Sequence, residues 1–112
     1  MATKDVTKVI SIAALLLMPS IGLAVNWYNK KVALLQPSYD GADCFYFTLE
    51  GVAEADPTKP GDPLFAIPRT QYGAKEAYAT LLSAKLTGQT VYVITRGTLS
   101  CGYASVSQVW VQ

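Results

Sequence analysis

Apolar and polar positions alternate most cleanly in residues 43–51, DCFYFTLEG, where Phe45, Phe47 and Leu49 share one face and Tyr46, Thr48 and Glu50 the other. This pattern predicts a strand with one face in a core and the other wetter. Residues 29–36, NKKVALLQ, predict a preceding strand, ended by the turn chemistry of PSYDGA with its markers Pro37 and Gly41. After the second strand, VAEADPTKPGDP carries three prolines and mixed charges and reads as a surface loop; LFAIP is a short third strand stopped by Pro68. Between residues 70 and 87 the period changes to that of a helix. Ala74, Ala77, Tyr78, Leu81 and Lys85 follow one stripe, Leu82 and Leu86 widen it, and Gly88 is the expected left-handed stop. That apolar arc is broader than one packing face requires, so either a second partner surface or full cover by the domain's own sheet accounts for it. TVYVITRG (residues 90–97) and SVSQVWVQ (residues 105–112) supply two more strands, rich in β-branched and aromatic residues.

The order β-β-β-α-β-β, mainly β with one helix, matches the OB-fold, a five-stranded Greek-key barrel in which the loops after strands 1 and 4 flank a common binding face. A two-layer α+β sandwich shares the element order and is the alternative. Under the OB reading the two loops are residues 36–43 and 97–104.

The first 24 residues contain the three parts of a secretory signal peptide. Lys4 and Lys8 form a basic start, residues 9–18 an apolar run of about ten residues, and Gly22 and Ala24 the small residues before cleavage. The run is too short for a membrane span, which needs roughly 20 residues, so no span is expected after cleavage. The domain division is therefore a leader, 1–24, and a single OB-like domain, 25–112. Export to the periplasm or the medium places Cys44 and Cys101, the two cysteines of the chain, in an oxidising compartment and predicts a disulfide between them. Cys44 follows the first loop and Cys101 lies in the other, so the bridge demands the proximity that an OB-fold provides.

Losing Lys4, Lys8 and Asp5 with the leader leaves seven basic and seven acidic side chains. Zero net charge argues against a nucleic-acid partner, since phosphate-dominated affinity needs a surplus of Lys and Arg. The chain has no histidine, the commonest general base and metal ligand, and no phosphate-binding glycine loop or zinc spacing. Neither an enzyme nor a cofactor or metal site is expected, and the Asp and Glu residues read as solvated turn formers. Seven tyrosines and two tryptophans point instead to binding. Tyr39 with Ser38 and Asp40 in the first loop, and Tyr103 with Ser100 in the second, form the expected ligand-binding rim. Trp27 and Trp110 read as core or interface residues, and Arg69 and Arg96 as surface salt-bridge partners.

The segments DCFYFTLEG, LFAIPRTQYGAKEAYATLLSAKLTGQTVYVI and SCGYASVSQVWVQ, together with the leader and the cysteine pair, resemble the B subunits of pentameric bacterial toxins, in particular the subtilase-cytotoxin and pertussis-like branch. The resemblance is architectural and covers most of the chain after the leader. It implies a secreted, non-catalytic, glycan-binding subunit. It also implies a ring-shaped homopentamer with helices lining its centre, edge strands pairing between neighbours, glycans held on the outer surface, and a catalytic A subunit as partner. The other function class is a secreted or periplasmic structural or protein-interaction module of the same fold with no sugar ligand.

Overall fold

The computed structural model describes residues 24–37 and 43–112. The expected leader, apart from its last residue, and the turn at 38–42 lie outside the described residues. The elements are β1 (Asn26–Gln36), β2 (Cys44–Leu49), β3 (Phe65–Pro68), α1 (Ala74–Thr87), β4 (Thr90–Ser100) and β5 (Tyr103–Val111). The chain is mainly β with one helix, in the anticipated succession of three strands, a helix and two strands. In space the order differs from that along the chain: the strands pair as β1-β2-β3-β5-β4, and β4 pairs back with β1 to close the sheet into a barrel. All pairings are antiparallel except β3 with β5.

Inward residues of every strand meet in one core. Phe47 and Leu49 from β2, Phe65 and Ile67 from β3, Val91 and Val93 from β4, and Ala104 and Val106 from β5 are all buried there. Phe47 and Phe65 stack at 4.8 Å between ring centroids. α1 closes the barrel with Ala74, Leu81 and Ala84, residues spaced at three and seven, as one helical face requires. Gly88 ends it in a left-handed conformation, with its N–H donating to the Ala84 carbonyl. Lys85, within the apolar stripe, lays its stem along the barrel and donates from Nζ to the Ala33 carbonyl at 2.6 Å. Leu82 and Leu86 stay exposed, so the widened part of the arc is not covered by the domain's own sheet.

Three expectations are corrected. The wetter face of β2 is not wet at Tyr46, which is fully buried with Cys44 and Ala66 in a second cluster against Leu64 and Tyr103. The proline-rich segment is also not wholly surface, because Val52, Ala55 and Asp56 are buried within it. It is anchored by Trp27, whose indole N–H donates to the Ala55 carbonyl at 2.8 Å, and by an Asp56 carboxylate that accepts the Thr58 N–H. Third, residues 97–104 are not a loop. β4 and β5 continue to a two-residue turn at Cys101 and Gly102, both with positive φ, and Ser100 pairs with Tyr103 across it. Two successive left-handed residues make a hairpin turn whose twist matches the strands, and Gly102 adopts that conformation without strain.

Cys44 and Cys101 are bonded, with Cα atoms 6.4 Å apart and a sequence separation of 57. The bridge ties the start of β2 to the tip of the β4–β5 hairpin. In the chain-entropy account a closed loop of that length contributes about 4 kcal/mol. Replacing both cysteines by alanine should therefore lower the unfolding free energy by about 2–4 kcal/mol in chemical denaturation. A loss below about 1 kcal/mol would show that the fold does not depend on the bridge.

Candidate functional site

Alternation in β1, β4 and β5 sends three large aromatic residues outward at adjacent positions. Tyr92 pairs with Trp110. On the other side a bulge in β1 sets both Tyr28 and Asn29 opposite Tyr92, since the register runs from Trp27↔Val93 to Lys30↔Val91. Asn29 takes up the extra residue in a left-handed conformation that asparagine tolerates, and its N–H donates to the Gln112 side chain. The result is a row of three rings across three strands. Tyr28 meets Tyr92 edge-on at 4.4 Å, and Tyr92 stacks on Trp110 at 4.2 Å with 21° between the planes. Tyr28 and Trp110 remain 52% and 42% exposed, which sets them apart from the packed core aromatics.

The hydroxyls are ordered as well. Tyr92 donates to the Tyr28 oxygen at 3.1 Å, and the Asn26 amide reaches the same oxygen at 3.5 Å. This hydrogen bond raises the Tyr92 pKa above the ordinary tyrosine value, and loss of hydration and repulsion from Tyr28 act in the same direction.

Beyond Trp110, on the side away from Tyr92, lies a groove of about 360 Å³ between β5 and the start of α1. Its floor is Ile67, Val106 and Val109; Trp110 forms one wall, and Tyr72, Glu76 and Thr80 stand on the helix side. Gln71 fixes one end by donating to the Val106 carbonyl at 3.2 Å. Ser107, the extra residue of a β5 bulge, donates its hydroxyl to the Ile94 carbonyl at 3.1 Å. Among the described residues, no strand pairs with the outer edge of β5 here. Gln112 donates to the Thr90 carbonyl, so by antiparallel alternation residues 108, 110 and 112 direct their backbone groups to β4, whereas Val109 and Val111 direct theirs to the groove. β3 pairs with β5 only at Ala104 and Ser105 and leaves that stretch uncovered.

Of the expected site residues, the structure describes the cysteine pair, Ser100 and Tyr103. Cys44 and Cys101 are joined, and Ser100 and Tyr103 sit together beside the bridge. Ser100 donates to the Ser105 hydroxyl at 2.8 Å; the Tyr103 ring meets Tyr46 edge-on at 5.5 Å and has the Lys59 ammonium 3.9 Å from its centroid. Both side chains are thus engaged within the domain. Ser38, Tyr39 and Asp40 lie outside the described residues. Trp27 packs against the core as anticipated, while Trp110 is exposed. The expected arginine salt bridges are absent among the described residues: Lys59 pairs with Asp62 at 3.4 Å, and Arg69 lies 5.6 Å from the Phe45 ring. The aromatic row escaped sequence reading because its members come from three strands whose adjacency alternation alone does not supply. No protein-family model, curated protein or solved structure matches the chain.

The Tyr28→Phe variant removes the acceptor that holds the Tyr92 proton. In a residue-resolved NMR titration of the tyrosine rings, the Tyr92 transition should move to lower pH. An unchanged titration curve would mean that the hydroxyl pair does not form in solution.

Proposed function

We propose that the protein is a non-catalytic, secreted or periplasmic glycan-binding subunit of OB-fold type, comparable in role to toxin B subunits. The barrel order β1-β2-β3-β5-β4 with a helix between β3 and β4 supports the fold assignment. The disulfide is compatible with an oxidising compartment, and no helix among the described residues is long and apolar enough to cross a membrane. The observation that carries the reading is Trp110: a half-exposed indole, braced on one side by Tyr92, that walls a groove containing a carboxylate, a hydroxyl and amides. An apolar plate with a few convergent polar groups is what a sugar requires, since its C–H face stacks while its hydroxyls exchange hydrogen bonds. Bracing matters because an indole already held in place loses little freedom on binding.

A second reading rests on the bare β5 edge. The Val109 and Val111 backbone groups invite pairing with an extended segment of another protein, including another copy of this chain in a ring, with or without a catalytic partner subunit.

A glycan array probed with the oxidised protein tests the first reading. Binding is expected, and Trp110→Ala should weaken it by about 1–3 kcal/mol, roughly five- to 150-fold. The fold should be retained, although loss of the Tyr92 stack lowers the thermal midpoint by a few degrees. Tyr103→Ala should chiefly lower stability. Retention of full affinity by the Trp110 variant, or no binding to any glycan, would contradict the reading and leave strand pairing as the favoured role.

A further inference from the structure

Resting on that glycan-binding reading, we infer that the groove selects neutral pyranoses and discriminates against acidic ones. The inference comes from its charge. Glu76 supplies the carboxylate of the groove, and among the described residues no lysine or arginine lines it. The Glu76 side chain is exposed and makes no hydrogen bond or ion pair within the domain among the described residues. Lys75 precedes it in sequence, but successive helical residues point about 100° apart and do not share a face, and Lys75 does not reach the groove lining. A ligand carboxylate would therefore meet a carboxylate and no cationic side chain, and the positive field of the start of α1 is already offset by Glu76 in its first turn.

The remaining polar groups are neutral and partly committed. Thr80 donates its hydroxyl proton to the Glu76 backbone carbonyl at 2.9 Å and keeps its lone pairs. Ser107 donates to Ile94 and is likewise left as an acceptor. Gln71 spends one amide proton on Val106 and keeps its carbonyl oxygen. The lining also holds the Gln108 amide and the Tyr72 hydroxyl, which make no hydrogen bond within the domain among the described residues. The groove thus offers donors and acceptors together, and its charged member is the Glu76 carboxylate, which can take two hydroxyl protons at once. Vicinal hydroxyls of a neutral sugar supply donors to that carboxylate, whereas a carboxylate or sulfate ester on the sugar brings it a like charge. The Trp110 face adds to the same preference, because the negative face of an aromatic ring attracts C–H groups and repels anions.

The test uses immobilised glycosides matched in shape and different in charge: galactoside against galacturonide, and glucoside against glucuronide. The oxidised protein should bind the neutral member more tightly, by about three- to fivefold for like charges near 5 Å in a wet groove, and the gap should widen at low ionic strength. Glu76→Gln should close the gap while binding of the neutral sugar falls only modestly; Glu76→Lys should invert it. Tighter binding of the acidic member by the unmodified protein, or an unaltered gap in Glu76→Gln, would overturn the inference while leaving glycan binding intact. No binding to either member would overturn the glycan-binding reading together with it.

Discussion

The parallel contact between β3 and β5 is the constraint on which the rest of the structure depends. It consists of two register pairs, Phe65↔Ala104 and Ala66↔Ser105, against a long antiparallel ladder between β4 and β5. A closed sheet is only as closed as its shortest seam, and opening this one would expose Phe65, Ile67 and Val106 to water. The Cys44–Cys101 bridge holds the seam from outside. It joins β2, on the far side of β3, to the hairpin tip that leads into β5. Tyr46 and Tyr103 pack beside it, and Lys59 covers the Tyr103 ring. The rim around the bridge is thus occupied by its own stabilising contacts.

The same seam produces the groove. Because β3 is only four residues long, it leaves β5 soon after Ser105, and the helix that follows β3 takes the vacated position. The remaining half of β5 therefore faces α1 across a gap instead of facing a strand. Trp110 stands at the edge of that gap, held by Tyr92 and through it by Tyr28. Barrel closure, a bare strand edge and a braced indole are three consequences of one short strand. The two proposed roles, sugar binding and strand pairing, fall on the same face for that reason.

The sequence exposed the elements well and their continuation poorly. Phe45, Phe47 and Leu49 alternate into the core as the pattern demands, and Gly88 stops α1 where a left-handed residue was anticipated. The hairpin was hidden because Cys101 and Gly102 do not look like a customary two-residue turn; asparagine or aspartate usually precedes the glycine. Tyr46 was read as wet because period two reports which face a side chain takes, and here Leu64, just before β3, and Tyr103, at the start of β5, cover the second face. Trp110 alternates with Val109 and Val111, so its outward direction was readable. Its value as a wall was not, since that depends on Tyr92 and Tyr28 arriving from strands 18 and 82 positions away in sequence.

The central claim is that the groove beside Trp110 is a sugar site. Amide and indole shifts of the isotopically labelled, oxidised protein, followed by NMR during titration with a neutral oligosaccharide, test it most directly. The account predicts saturable changes confined to the Trp110 indole N–H, the β5 amides of Ser107 to Trp110 and the first turns of α1. Changes centred on the hairpin tip around Ser100 and Tyr103, or none at saturating sugar, would contradict it.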